Sequence, residues 1–488
     1  MGDKAKVLSS LFWKFMERGG TQGVQFAVQI VLARLLIPRD YGLIALVMVF
    51  ITLCNVLIQS GFNTALIQKK DADELDFSSV FFLTVFISLF LYLLLFLSAP
   101  LIGGFYGHER LVGIIRVQSV VIVLGALYAV QNAFIARNML FKKLFMSSLS
   151  AIVVSGVIGV VAATRGFGVW AIVMMQISNQ LIVVSVLWFT VDWRPKFIFS
   201  LKRIGSLFSY SWKLVVSAFL ETFYEDLVVL IIGRLYPPAM LGFYNRGYQF
   251  PELLVSNIDG TIQSVLLPTL SSKQDEPALV KSMVKRAIKT STFVMFPMMV
   301  GLAVIAKPLV IVLLTPKWLP SVPFIQVFCG VYALMPLHTT NLQAIKALGR
   351  SDVFLKLEVI KKVVGISILV AMIPFGILAI AMGYLISGAI GTFINSYPNK
   401  QLLGYNYMEQ IKDILPSLVI ASIMGALIYS IGFLPIQGLL LLIVQTFTGV
   451  VVYFLLAWAF KLESFSYIIL TIKEKISDRK YKIEIENT

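Results

Sequence analysis

Charged and amide side chains recur at helical spacing inside segments that are otherwise apolar. In the first such segment the spacings are four, four, three and four residues, which places the side chains on one face of an α-helix. These residues are Lys14, Arg18, Gln22, Gln25 and Gln29. A later segment repeats the pattern with Lys213, Ser217, Glu221, Glu225 and Asp226. Cations of this kind bind anions, amides bind sugars, and carboxylates bind protons or metal cations.

Two further segments, each directly after one of these, also carry a polar face. Their side chains are Thr52, Asn55, Gln59 and Asn63 in one, and Gln249, Glu252, Ser256, Asp259 and Gln263 in the other. An ionised group that faces lipid at mid-bilayer costs about 2.5 to 3.5 kcal/mol. If these segments span a membrane, their charges must face a cavity or each other. The alternative is that they are polar ties between helices with no role in binding a substrate.

The amino-acid composition is that of a membrane protein rather than of a soluble one. Of the 488 residues, 58% are hydrophobic and 14% are charged, and the mean hydropathy is +0.87. Soluble domains are near 45 to 50% apolar with about a quarter of residues charged. The net charge of +16 would suit nucleic acid, but a membrane protein collects cations on its cytoplasmic side, so no nucleic-acid partner is expected.

Fourteen apolar windows are long enough to cross a bilayer, which predicts an all-α polytopic membrane protein with short loops. They lie near 11 to 37, 42 to 62, 77 to 103, 112 to 136, 145 to 164, 168 to 191, 208 to 235, 241 to 270, 287 to 314, 321 to 346, 353 to 374, 376 to 397, 411 to 432 and 436 to 460. We number these predicted spans 1 to 14. Spans 1, 7 and 8 are the most polar of them.

Lysines and arginines collect in alternate loops, as expected when those loops are cytoplasmic. The loops of the opposite side hold only Arg39, Arg110, Arg165, Arg234 and Lys317. With an even number of spans, both termini are then predicted to be cytoplasmic, and the expected location is the bacterial cytoplasmic membrane.

The chain also contains a weak internal repeat. VLARLLIPRDYGLIA at 31 to 45 and IIGRLYPPAMLGFYN at 231 to 245 share an arginine, a leucine, a proline and a glycine in register. Six spans separate the copies, so the two halves would share one orientation, as in transporters built from parallel repeats. We therefore predict an N-lobe (1–200, spans 1 to 6), a C-lobe (201–400, spans 7 to 12), two accessory spans (401–460) and a cytoplasmic tail (461–488). Arg34 and Arg234, at the outer ends of spans 1 and 7, are predicted to be structural or gating residues.

Enzymatic chemistry is not expected. Cys54 and Cys329 lie in apolar stretches, the two histidines are far apart in sequence, and the dipeptide Gly-Lys of a P-loop is missing from the sequence. We predict no catalytic residue, no metal site and no cofactor apart from a coupling proton or sodium ion. A membrane glycosyltransferase or ligase would need a sizeable outer loop, and every predicted outer loop is short.

Several segments resemble the polysaccharide exporter branch of the multidrug/oligosaccharidyl-lipid/polysaccharide flippases, and most closely its Wzx type. They include LARLLIPRDYGLIAL (32 to 46), IQSGFNTALIQKKD (58 to 71), IARNMLFKKL (135 to 144), EDLVVLIIGRLYPPAMLGFYNRGYQFPELL (225 to 254), VLLPTLSSKQDEP (265 to 277), PLVIVLLTPKW (308 to 318) and IKALGRSDVF (345 to 354). The resemblance implies a flippase that moves an undecaprenyl-diphosphate-linked oligosaccharide to the outer leaflet, with two lobes that rock around a cavity. A polysaccharide polymerase is an implied partner. Asp226, Arg234 and Arg246 occupy the positions of the acid of span 7, the arginine that ends it and the arginine of span 8. Glu225, beside Asp226, departs from the pattern, so either carboxylate is a candidate.

Residue roles follow from this cargo. The diphosphate needs cations, which Lys14, Arg18, Lys213 and Arg246 supply. The sugars need uncharged hydrogen-bonding groups, and the candidates are Gln22, Gln25, Gln29, Asn55, Gln59 and Gln249. Glu221, Glu225, Asp226 and Asp259 would repel the cargo and are assigned to ion coupling or charge balance. The alternative function is a cation-coupled multidrug exporter, which would favour acidic and aromatic walls over cations.

Overall fold

The computed structural model describes residue 9 and residues 12–14, 16–59, 61–470 and 473–474, without the side chains of Arg18, Tyr210 and Asn257. The side chain of Arg18 and most of the predicted tail beyond residue 470 therefore lie outside the described residues. Within these ranges the chain is helical and contains no strand. The predicted all-α class is confirmed.

A π-helical turn, Met16–Gly20, leads into the first of seventeen described α-helices, and two 3-10 turns, Pro316–Ser321 and Ile373–Phe375, occur later. The α-helices are α1 (Thr21–Leu35), α2 (Pro38–Gln59), α3 (Phe62–Gln68), α4 (Glu74–Tyr106), α5 (Arg110–Gln118), α6 (Val120–Asn138), α7 (Phe141–Thr164), α8 (Val169–Thr190), α9 (Leu201–Leu235), α10 (Pro238–Ser271), α11 (Pro277–Leu313), α12 (Val322–Ala333), α13 (Met335–Ala347), α14 (Ser351–Met372), α15 (Ile377–Leu403), α16 (Tyr407–Ile431) and α17 (Gly438–Ala459).

Ten helical segments in the described chain are long and apolar enough to cross a membrane. They correspond to predicted spans 2 to 6, 9, 10 and 12 to 14. Spans 1, 7, 8 and 11 coincide with α1, α9, α10 and α14, which are helical but more polar. The protein is thus a multi-pass membrane protein, and the count of fourteen stays a prediction.

The helices form two compact units, Met1–Gly242 and Phe243–Thr488. In the first unit α9 packs against α2, α3 and α4. Close helix contacts depend on glycine: a Cβ on Gly61 of the turn before α3 would lie 2.4 Å from Val215 of α9. In the same way, a Cβ on Gly156 of α7 would lie 2.7 Å from the side chain of Val28. Glycines at these positions let neighbouring membrane helices approach closely.

The two copies of the internal repeat touch each other at the start of α2 and α10. A Cβ on Gly42 would lie 1.7 Å from the carbonyl oxygen of Pro238, and a Cβ on Gly242 would lie 2.1 Å from the carbonyl oxygen of Pro38. The contact is reciprocal, because each glycine faces the proline of the other copy. The repeated proline and glycine therefore have a common physical basis, which is a backbone-to-backbone approach that no side chain can enter.

At the opposite end of α2, a group of charges surrounds the start of α4. Asp73 and Asp76 form a capping box, and Asp73 also pairs with Arg203 of α9 at 3.1 Å. The backbone N–H of Asp76 holds the pKa of the Asp73 carboxyl below its usual value. Asp76 is fully buried and accepts from Lys69 at 2.6 Å. The contacts of Arg203 fasten the start of α9 to the start of α4 within the first unit.

The second unit is held by a core of α10, α11, α13, α16 and α17. Within it, three buried amides bridge three helices: Asn341 exchanges hydrogen bonds with Gln410 and accepts from Asn399 at 2.6 Å. His338 is hydrogen-bonded to Asn395 at 3.0 Å. This histidine therefore serves as a hydrogen-bonded tie between helices.

Candidate functional site

Uncharged polar side chains of α2, α6 and α8 meet inside the first unit. The Tyr128 hydroxyl is hydrogen-bonded to the side chains of Gln59 and Gln180. Asn55 lies beside them, because its Oδ1 atom is 3.3 Å from where a Cβ on Gly125 would stand. We call Asn55, Gln59, Tyr128 and Gln180 the amide cluster. The cluster brings together groups from three membrane helices, and the glycine of α6 leaves room for them.

Several buried polar atoms of α2, α5 and α6 have no hydrogen-bond partner among the described residues. The buried oxygen of Asn55, the buried oxygen of Gln118 and both amide atoms of the buried Gln131 have no hydrogen-bond partner there. A buried polar group without a partner costs about 1 to 3 kcal/mol. Water or a polar ligand is the natural partner for groups of this kind.

Asn55 and Gln59 were predicted from the sequence, whereas Tyr128 and Gln180 were not. A signal for Gln180 existed, since Gln176, Asn179 and Gln180 interrupt the otherwise apolar span 6 at helical spacing. Gln176 accepts a short hydrogen bond from Gln118, and Asn179 donates to Ser155 at 3.2 Å. Tyrosine carries no comparable signal, because its ring fits an apolar helix as well as a polar one.

The polar face of span 1 is only partly regular. The π-helical turn Met16–Gly20 replaces the α-helical register between Lys14 and Gln22. Lys14 is exposed and pairs with Glu17 at 2.8 Å. Gln22 and Gln29 are partly buried, and Gln25 is exposed. The role of these glutamines in binding sugars stays a prediction.

Predicted span 7 presents its charges outside the packed core. Lys213, Glu221 and Glu225 are exposed on α9, and the Lys213 ammonium lies 5.9 Å from the centre of the Trp212 ring. Asp226 is partly buried, and its Oδ2 atom is buried without a hydrogen-bond partner among the described residues. Charges of this density in a membrane helix need a water-filled space.

Arg34 and Arg234 lie where the repeat predicted them, in the last turns of α1 and α9. Both are exposed. The Arg234 guanidinium also stands 5.1 Å from the ring of Phe105 of α4. A cation in the last turn of a helix interacts favourably with its dipole by about 0.3 to 1 kcal/mol, so a structural role is compatible with these positions. Their gating role stays a prediction.

The candidates of the second unit have partners within that unit. Arg246 is buried, donates to Gln249 at 2.7 Å and lies 5.5 Å from the ring of the fully buried Trp318. Asp259 accepts from Gln263 at 2.7 Å and from the Thr339 hydroxyl in a short hydrogen bond. Arg246 and Gln249 therefore act as a pair, and binding of cargo by them stays a prediction.

Comparisons with known proteins identify the family of this chain and several relatives. Residues 31–323 match the model of a family described as polysaccharide biosynthesis protein. The chain is 24% identical to the teichuronic acid biosynthesis protein TuaB of Bacillus subtilis. The match covers 78% of this chain and 79% of TuaB. The chain is also 23% identical to the succinoglycan biosynthesis transport protein ExoT of Rhizobium meliloti. That match covers 71% of this chain and 70% of ExoT.

The fold is also known from a solved structure. The lipid II flippase MurJ in an inward closed conformation superposes with a TM-score of 0.76 at 16% identity, over 92% of this chain and 98% of MurJ. At this identity the match establishes the fold alone. The family match confirms the resemblance to polysaccharide exporters predicted from the sequence, and the chain belongs to the polysaccharide biosynthesis protein family.

Proposed function

We propose that this protein is a flippase that moves undecaprenyl-diphosphate-linked oligosaccharide units from the inner to the outer leaflet of the bacterial cytoplasmic membrane by alternating access. The units would serve surface polysaccharide synthesis, and a polysaccharide polymerase would be the partner that receives them. Family membership, the many membrane helices and the named roles of TuaB and ExoT support this proposal.

The amide cluster is the observation that carries the proposal. A sugar presents many hydroxyl groups, and each can both donate and accept a hydrogen bond. Amides and a tyrosine hydroxyl match this chemistry, because they too offer donors and acceptors without charge. The oxygen of Asn55, which has no partner among the described residues, leaves the cluster with capacity for a ligand.

The charged candidates complete the assignment. Lys14, Arg18, Lys213 and Arg246 are the cations proposed to contact the diphosphate, and Gln22, Gln25, Gln29 and Gln249 add polar contacts for the sugars. Glu221, Glu225, Asp226 and Asp259 are proposed to bind a coupling proton or sodium ion or to balance the cations. An organic-cation exporter would use these groups in the opposite sense, with the carboxylates binding the cargo.

Replacing Gln59 or Gln180 with leucine is expected to slow transport of labelled polyprenyl-diphosphate oligosaccharide across proteoliposomes. Each change removes a neutral hydrogen bond of about 0.5 to 1.5 kcal/mol, or roughly two- to tenfold in affinity. Gln401→Leu, at an exposed amide in the last turn of α15, is the matched control. Transport of organic cations without transport of lipid-linked sugar by the wild type would replace this proposal with the exporter.

The proposed orientation predicts that both termini face the cytoplasm. A cysteine at Lys202, which is exposed at the start of α9, should resist a membrane-impermeant thiol reagent in intact cells and react after permeabilisation. A cysteine at the exposed Arg165, in the turn after α7, should react in both. Labelling of the Lys202 position in intact cells would invert the topology.

A further inference from the structure

A separate cavity lies at one end of the first unit, at the turn that connects α9 to α10 and beside the end of α4. It has a volume of about 510 Å³. Its polar walls are Arg39, Tyr106, His108, Arg234 and Tyr236, and the prolines of the turn between α9 and α10 also line it. We call it the turn cavity. In the proposed orientation it opens at the outer face.

The turn cavity is positive. Two of its walls are arginines, and none of its described lining residues is acidic. The acids that adjoin its lining residues in sequence are Asp40 and Glu109. The Asp40 carboxylate accepts from the backbone N–H groups of Ile37 and Val169 and also interacts electrostatically with Arg110 and with Arg39 of the cavity, and Glu109 is exposed. An anion in the cavity would therefore meet two guanidinium groups from different helices.

The donors suit a phosphate group. A guanidinium presents a planar fork of N–H donors that fits two phosphate oxygens at once. The hydroxyl of Tyr106, which also lines the cavity, adds a neutral donor.

The surface beside the cavity is apolar, and this feature favours a lipid over a free anion. Leu235 lines the cavity and is 52% exposed. Phe105, over which the Arg234 guanidinium stands, is 59% exposed. Exposed apolar side chains of this size are suited to contact with lipid chains. A headgroup bound between the arginines could thus leave its chain on this surface, as in basic pockets that bind lipid headgroups.

We propose that the turn cavity binds the phosphate or diphosphate group of a membrane lipid. Two sources share this chemistry, an anionic phospholipid and the polyprenyl diphosphate of the transported cargo. The second source rests on the proposed function, in which the cavity would hold the diphosphate after it has reached the outer leaflet.

The test uses the full-length protein in nanodiscs of phosphatidylcholine, with bound lipid counted by native mass spectrometry. Phosphatidylglycerol and undecaprenyl diphosphate are titrated separately, and inorganic diphosphate is added as a soluble competitor. Arg39→Gln or Arg234→Gln is expected to weaken lipid binding about tenfold, and the double variant about a hundredfold, since each removes a charge-assisted contact. Arg165→Gln, an exposed arginine at another turn, should bind as the wild type does.

The outcomes separate the sources. Arginine dependence for undecaprenyl diphosphate alone assigns the cavity to cargo, and equal dependence for both lipids assigns it to lipid phosphates in general. Binding of inorganic diphosphate without binding of either lipid overturns the lipid assignment. Binding of both lipids by either single variant at wild-type affinity, with normal elution on size exclusion, overturns the site itself. If the double variant does not fold, the single variants decide. A wild type that binds lipid through these arginines but transports no oligosaccharide would contradict the proposed function and leave this site intact.

Discussion

Gly42→Ala is expected to abolish most export, although it adds a single methyl group. The added Cβ would stand 1.7 Å from the carbonyl oxygen of Pro238, and a backbone atom in a helical turn cannot rotate away as a side chain can. Overpacking of this kind costs about 1 to 3 kcal/mol and occasionally more. The arrangement in which α2 touches the start of α10 should become roughly five- to a hundredfold less populated. Surface polysaccharide in a deletion strain that carries the variant is the measurement.

Gly242→Ala should behave alike, because its Cβ would stand 2.1 Å from the carbonyl oxygen of Pro38. Gly104→Ala is the control, since this glycine lies at the same end of the unit and a Cβ there meets nothing within 4 Å. Protein amount and unfolding temperature are measured for all three. Normal export by both Gly42→Ala and Gly242→Ala would show that this contact is dispensable.

The reciprocal glycine contact illustrates what a sequence can reveal. The repeat showed that Pro38 is equivalent to Pro238 and Gly42 to Gly242, and the predicted spans 2 and 8 begin close to the two glycines. That the two copies touch each other is a tertiary fact, because nothing in a repeat of period 200 states which surfaces meet. The polar helices were predicted from the helical spacing of their polar residues. Periodicity reports one helix at a time and reports it well.

The sequence did not predict which side chains of different helices contact each other. Asn55 and Gln59 could be chosen because they share a face of one helix, but the Tyr128 hydroxyl joins them only through the packing of α2, α6 and α8. The π-helical turn Met16–Gly20 is a departure from regular spacing that no periodic pattern predicts. Arg246 was predicted as a cavity cation from its charge and position, and its stacking against Trp318 depends on a residue 72 positions later in the chain.

Burial and hydrogen bonding decide which cation can be replaced to test cargo binding without also changing stability. Arg246 is buried and bonded within its own unit, so Arg246→Gln would remove a buried contact as well as a charge and lower the free energy of unfolding. Lys213 is exposed, and its replacement should leave folding unchanged. Loss of export in Arg246→Gln alone would therefore not separate cargo binding from stability.

Lys213→Gln is expected to lower affinity for lipid-linked oligosaccharide about tenfold or more, because a charge-assisted contact contributes roughly 1.5 to 3 kcal/mol. Asp226→Asn should instead preserve cargo binding and change the dependence of transport on pH or sodium, since the buried Oδ2 atom of Asp226 lacks a hydrogen-bond partner among the described residues and a carboxylate repels the diphosphate. Binding and transport are measured separately on the purified protein in proteoliposomes, with Lys202→Gln as the control at another exposed lysine of α9. The two variants thus separate cargo recognition from coupling on one helix. Wild-type affinity in Lys213→Gln would remove this lysine from the binding site, and loss of cargo binding in Asp226→Asn would show that the carboxylate recognises the cargo itself.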